Sequence, residues 1–267
     1  MFSNATISSA HSTTATPLRN ARSKNDAAPV APNPELTTKC SNCHMRQICL
    51  PPDLSASEQE QLDSLVTIHK RIAKGESLYR ETEKFDSLYA VRSGFFKTTV
   101  LIADGRDQVT GFHMAGDLMG LDGLSSGSHS CDAVALEDSE VCVIPFRQYE
   151  KLSRKVESLH QHLYKMLSRE IVRDYSMMLL LGTMRAEERL AAFLLNLAER
   201  FTARGYSPRE FNLRMTREEI GSYLGLKLET VSRMFSKFHD EGLVNAQQKN
   251  INILDAAKLQ KVIGDCH

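Results

Sequence analysis

Thr216-Arg-Glu-Glu-Ile-Gly-Ser-Tyr-Leu-Gly225-Leu-Lys-Leu-Glu229-Thr-Val-Ser-Arg233-Met-Phe-Ser-Lys-Phe238 carries two helical signals on either side of a glycine. Thr216 and Glu219 have the capping-box form that starts a helix, because each side chain can satisfy the other's free backbone N–H. That helix is expected to reach Leu224. Gly225 supplies a turn, and a second helix is expected from about Lys227 to Asp240. Helix, glycine turn, helix is the helix-turn-helix outline. Gly242 and the alternating Asn250-Ile-Asn-Ile253 then suggest a two-stranded wing.

The second helix has two different faces. At the helical repeat, Val231, Met234, Phe235 and Phe238 share one arc of about 100°. Glu229, Ser232, Arg233 and Ser236 share the opposite arc. A solvated amphipathic helix would show the same contrast, but not the cap, turn and wing in this order. In a DNA major groove, Arg pairs with guanine, Glu accepts from cytosine and Ser is tolerant. An acid is costly beside phosphates, so Glu229 favours base reading. Thr216 completes the candidate DNA-contact set with Glu229, Ser232 and Arg233. Residues 205–250 carry 7 Lys and Arg against 6 Asp and Glu, so non-specific affinity is expected to be modest and a dimer would help.

Upstream, a helix is expected over Ala186 to Arg204, stopped by Gly205. Before it, one long helix is expected from about Arg147 to Leu181, ended by Gly182. Leu163, Leu167, Ile171, Asp174, Met178 and Leu181 follow a coiled-coil-like spacing, apolar at every position but one. That helix could lie on its own barrel. Further apolar residues (Leu159, Met166, Met177, Leu180) widen the stripe enough to face two surfaces, which favours pairing. Asp174 facing its symmetry mate would oppose that pairing by like charge.

Between about Arg71 and Pro145 short alternating runs, among them Ser87–Arg92, Phe95–Ile102, Gln108–His113 and Glu140–Ile144, are punctuated by glycine turns. Such a pattern reads as a β-roll of roughly eight strands. A short helix is expected from Ser57 to about Ile68, with Ser57 and Glu60 as its capping box. Residues 1–35, rich in Ala, Ser, Thr, Pro and Asn, read as a disordered tail.

Cys40-Ser-Asn-Cys43-His-Met-Arg-Gln-Ile-Cys49 holds three of the six cysteines within ten residues. Soft sulfur ligands at this density point to zinc or an iron–sulfur cluster. Spacing alone separates neither these two nor Cys131 from Cys142 as a fourth ligand. His44 could tune such a site, although a solvated histidine is the simpler reading. The C-x2-C-x5-C spacing does not fit the ferredoxin run.

Lys and Arg number 33 and Asp and Glu 33, so any nucleic-acid surface must be local. No run of eighteen apolar residues and no basic-then-apolar leader is visible, so no membrane partner and a cytoplasmic, reducing setting are expected. No P-loop, dinucleotide glycine loop or nucleophile elbow occurs, and no enzyme is expected.

In this order of parts, the chain resembles the CRP/FNR superfamily of bacterial regulators, and within it the FNR (fumarate and nitrate reduction) oxygen-sensing subgroup. The likeness covers roughly residues 36–260. It rests on Cys40–Cys49, Leu88–Gly94, Gly111–Asp117, Ala186–Phe193, Gly205–Phe211 and Glu229–Arg233. The resemblance implies an α+β chain: an N-terminal β-roll (a cyclic-nucleotide-binding-like jelly roll), a long dimerisation helix and a C-terminal winged helix-turn-helix. The implied division is a tail at 1–35, a sensor at 36–146, a dimer helix at 147–182 and a DNA-binding domain at 183–267.

It further implies a [4Fe–4S] cluster on Cys40, Cys43, Cys49 and Cys142, with Cys131 and Cys266 as bystanders. The cluster-bound homodimer would read TTGAT-like inverted repeats in double-stranded DNA through Glu229, Ser232 and Arg233. It would activate or repress genes of anaerobic metabolism, and oxygen would dissociate it. The loop Asp104-Gly-Arg-Asp107 reads as a hairpin tip, and the family's matching loop touches RNA polymerase. The related cyclic-nucleotide branch holds its ligand with a Glu and an Arg-Ser pair. Those positions fall on Leu121 and on Cys131 and Asp132, and no Lys or Arg occurs between Arg106 and Arg147, so no cyclic nucleotide is expected.

Overall fold

From Ile68 onward the chain folds as strands. A computed structural model describes residues 39–264 except 67 and 104. The expected tail at 1–35, Asp104 and Cys266 lie outside the described residues.

A 3₁₀ turn (Cys40–Asn42) and the single-turn helix α1 (Arg46–Cys49) carry the cysteines, followed by α2 (Ala56–Leu65). Eight strands come next: β1 (Ile68–Ile72), β2 (Ser77–Tyr79), β3 (Ser87–Ser93), β4 (Phe95–Leu101), β5 (Asp107–Met114), β6 (Leu118–Met119), β7 (Asp132–Ala135) and β8 (Ser139–Pro145). They form two antiparallel sheets, ordered β1-β8-β3-β6 and β2-β7-β4-β5. Helices α3 (Phe146–Ser153), α4 (Glu157–Thr183) and α5 (Ala186–Thr202) follow. The C-terminal unit comprises β9 (Glu210–Asn212), α6 (Arg217–Leu224), α7 (Leu228–Asp240), β10 (Val244–Gln247), β11 (Asn250–Ile253) and α8 (Ala256–Ile263).

Successive strand residues face opposite ways, and both faces of this barrel are used. On β4, Phe96 fills the barrel interior with Val91 and Val141. Its neighbour Phe95 points out and joins Leu190, Leu194 and Phe235. Burying each phenylalanine contributes about 1.5–3 kcal/mol. One apolar core therefore runs from the outer face of β4 and β5 into the helix-turn-helix. A third cluster packs α2, α3 and the start of α4 through Leu62, Tyr149, Leu152 and Leu159.

Several expected boundaries move. α2 starts earlier because Ser55 and Glu58, two residues ahead of Ser57 and Glu60, form the capping box, and it stops at Leu65 because Ile68 already pairs with Val143. The expected helix 147–181 is two helices, broken where Val156 turns extended and buries. Leu152, Val156 and Leu159 keep helical spacing across the break, so periodicity alone does not reveal it. Gly182 does not end α4, which runs to Thr183. Its end is set by Arg189, which donates to the carbonyls of Leu181 (2.7 Å) and Met184 (2.9 Å). The wing gains a third strand, since β9 pairs with β11.

Candidate metal centre and nucleic-acid interface

Cys142 owes its position to strand alternation. On β8, Val141 points into the barrel, so Cys142 points outward toward the helices of the third cluster. The cysteine segment is laid over that spot by three ties. Ser41 donates to Asp63 of α2 from its backbone N (3.1 Å) and its Oγ (2.8 Å). Arg46 donates to Gln59 Oε1 at 3.0 Å. Cys49 Sγ lies 3.9 Å from the carbonyl oxygen of Gly116. A Cβ at Gly116 would come 2.9 Å from Ile48, so this close approach requires glycine, as does its φ of +90°.

Cys40, Cys43, Cys49 and Cys142 thus line one cavity of about 70 Å³, walled by side chains such as Leu62, Leu88 and Leu159. Burial, then Asp63 and Cys43, pushes the Cys40 thiol up to about 11. Burial, then the neighbouring sulfurs, pushes Cys49 and Cys142 up to about 12. These three thiols are held protonated at neutral pH, so a soft cation entering here must displace protons. Among the described residues, no three His, Cys, Asp or Glu side chains are gathered tightly enough to share one metal ion. Four thiolates are a donor set that soft metal centres take, zinc and iron–sulfur clusters alike.

Cys131 is elsewhere. It packs inside the barrel, donates weakly to Asp122 (3.7 Å), and is absent from the cysteine cavity. His44 is exposed. Sequence reading missed His162 of α4, which lines the cysteine cavity. Its Nε2 is buried with no hydrogen-bond partner among the described residues. Burial disfavours a charge on its ring, and the nearby Cys49 backbone acts in the opposite direction.

A second cavity, of about 410 Å³, lies between the barrel and α4. Leu121, Asp122 and Cys131 line it, as does Arg173 from α4. Counting cations along residues 106–147 overlooked that arginine, which comes from a distant helix. Arg173 is paired with Glu170 at 3.0 Å.

In the helix-turn-helix, Thr216 Oγ1 accepts from Glu219 N (3.1 Å), and Glu219 accepts from Thr216 N (2.6 Å). Gly225 closes α6 at φ +64°. On α7, Val231, Phe235 and Phe238 are buried, whereas Glu229, Ser232, Arg233 and Ser236 are exposed. The Arg217 guanidinium lies 3.5 Å from the Phe235 ring centre and braces α7 from beneath. How this unit is docked was not legible from its residues. Lys97 of β4 pairs with Glu219 at 2.8 Å, and Val109 N donates to Ser222 Oγ at 2.9 Å. Thr216 and Glu229 border a cleft facing the β4–β5 hairpin; Ser232 and Arg233 lie outside it.

Along α4, Leu163 and Leu167 are half-buried on their own subunit. Ile171 (52% exposed), Met178 (67%) and Leu181 (37%) are open to solvent, and Asp174 lies among them. None of the described helices is long and apolar enough to cross a membrane.

The chain matches the Crp-like helix-turn-helix domain over residues 188–262 and the cyclic nucleotide-binding domain over residues 69–155. It is 47% identical to the transcriptional regulatory protein btr of Bordetella pertussis, over 84% of this chain and 93% of that protein. It is 45% identical to the fumarate and nitrate reduction regulatory protein of Escherichia coli, over 84% of this chain and 90% of that protein. Among solved structures, FixK2 from Bradyrhizobium japonicum aligns with a TM-score of 0.69 and 32% identity, covering 75% of this chain and 98% of that one. With a β-roll, a long helix and a winged helix-turn-helix in this order, the chain belongs to the CRP/FNR family of transcription regulators, which are DNA-binding proteins and not enzymes.

Proposed function

We propose that this regulator senses oxygen through a [4Fe–4S] cluster held by Cys40, Cys43, Cys49 and Cys142. The observation that carries the reading is the meeting of Cys142, from β8, with three thiols of the N-terminal segment around one cavity. Four thiolates meet the ligand needs of an iron–sulfur cluster, and the likeness to fumarate and nitrate reduction regulators favours it over zinc. When bound, the cluster supplies an oxygen-labile cross-link between the N-terminal segment and the barrel. The name of the Escherichia coli relative supports a role in fumarate and nitrate reduction, and so in anaerobic metabolism.

The protein's own residues do the rest. The segment 40–49 packs against β8 and against the start of α4, where Leu159 and Leu163 meet the same cavity. Positioning that end of α4 biases pairing through Ile171, Met178 and Leu181, against the repulsion of two Asp174 side chains. A homodimer then sets two copies of α7 one helical turn apart on a TTGAT-like palindrome, read by Glu229, Ser232 and Arg233 with Thr216 at the helix start. Cavity filling and DNA both favour the dimer, so each strengthens the other. The β4–β5 hairpin is the surface offered to RNA polymerase. The barrel cavity is read as taking no cyclic nucleotide: Leu121, Cys131 and Asp132 stand where that branch places its polar holders, and Arg173, which lines the cavity, is paired with Glu170.

The test is absorption spectroscopy of protein isolated without air, before and after air, with DNA binding on the same samples. A brown protein that bleaches and loses its DNA affinity is expected. A colourless or zinc-loaded protein that binds DNA equally with and without air overturns the proposal.

A further inference from the structure

α4 presents two adjacent faces. Leu159, His162, Leu163 and Met166 line the cysteine cavity. Leu163, Leu167, Ile171, Asp174 and Met178 form the seam, so the two faces share Leu163. His162 is the only polar side chain that α4 contributes to that cavity. Cys49 lines the same cavity, and the Nε2 of His162 is buried without a partner among the described residues. A buried nitrogen left unpaired is costly, so a partner is expected from within the cavity.

We propose that His162 is a positioning residue for the cysteine site, offering its buried ring nitrogen to the group that fills the cavity and so tying that group to the long helix. The proposal rests on the cluster reading above and names a side chain that transmits cavity filling to the dimer seam. The logic is that of a metal site's outer shell, whose hydrogen-bond partners hold the geometry of the site. Here that partner sits on the responding helix, so a change in the cavity is carried to α4 through one side chain, without passing through the barrel.

The experiment uses the full chain with His162→Leu, which fills the space without a hydrogen bond, and His162→Gln, which keeps a donor of similar reach. Two readouts are taken: the bleaching rate of the anaerobic protein in air, and the alkylation rate of Cys49 in cluster-free protein, resolved by mass spectrometry. His162→Leu is expected to bleach about tenfold faster and to expose Cys49 to faster alkylation, and His162→Gln is expected to restore both. A folded His162→Leu protein with both rates unchanged overturns the proposal, as does a failure of His162→Gln to restore them. If His162→Leu does not fold, faster rates in His162→Ala than in His162→Gln support the proposal, and equal rates overturn it. If the wild type shows no iron–sulfur absorbance, the cluster reading fails, and the alkylation comparison alone then judges whether His162 guards the cysteine site.

Discussion

Asp117 and Arg204 meet across the boundary between the barrel and the DNA-binding unit, with Oδ1 2.7 Å from Nη2. Arg200 engages the other carboxylate oxygen, which also accepts from Met114 N at 2.8 Å. Asp117 follows Gly116, whose carbonyl lies against Cys49 Sγ. One short loop is therefore held by the cysteine segment on one side and by α5 on the other. Burial alone would raise the pKa of Asp117, but Arg200 and Arg204 outweigh it and hold the carboxyl below its ordinary range.

The sign of the pH effect follows from that depressed value. The pair stabilises the fold above the unfolded carboxyl pKa of about 3.9, and the contribution is lost as pH falls below it through the folded value. Asp117→Asn leaves two buried arginines short of a counter-charge, so it should cost about 3–5 kcal/mol at pH 7. Denaturant unfolding at pH 7 and near pH 3 checks this: the gap between variant and wild type should narrow in acid. An equal gap at both pH values would show that the charge pair is not its source.

Cys142 and Cys131 give a second contrast. Both are in the barrel, but alternation puts Cys142 outside with the other thiols and Cys131 inside beside Asp122. Cys142→Ser should abolish the visible absorbance of anaerobically isolated protein. Cys131→Ser should retain it, at a stability cost of about 1 kcal/mol. The reverse pattern would reassign the fourth ligand.

Asp174 sits in the exposed stretch of the α4 seam between Ile171 and Met178. Removing a charge that opposes its symmetry mate should tighten the dimer by about 1.4 kcal/mol, or tenfold. Sedimentation of cluster-free Asp174→Ala protein in air should show dimers at concentrations where the wild type is monomeric. A variant that stays monomeric over the whole range would place Asp174 outside the pairing surface.

The parts of this molecule that were legible from sequence are those governed by neighbours in the chain. Thr216 and Glu219 are three residues apart, and Gly225 ends its own helix, so the helix-turn-helix could be read from local chemistry. Strand alternation likewise marked the β-roll. The break at Val156 was hidden because apolar spacing continues through it. The contacts that join the parts were not legible at all. Asp117 and Arg204 are 87 residues apart, and Lys97 and Glu219 are 122 apart. His162 and Arg173 carry no signal in the residues beside them; each meets its cavity only because α4 packs against the barrel.

Arg233 gives the most specific prediction about DNA. It projects from the exposed side of α7, opposite the buried Val231, Phe235 and Phe238, and its Nη2 lies only 3.3 Å from Thr230 Oγ1 on the same helix. Its burial partners on the other side hold the helix, so truncation should leave the fold intact. If it pairs with a base, Arg233→Ala should cost about 1–3 kcal/mol on the preferred palindrome and relax the preference at one base pair in each half-site. Competition binding against half-sites altered one base pair at a time measures both effects. Thr216→Ala is the comparison, because it removes a helix cap worth about 1 kcal/mol and should weaken all sequences alike. If Arg233→Ala also weakens every sequence equally, Arg233 contacts the phosphate backbone, and base reading falls to Glu229 and Ser232.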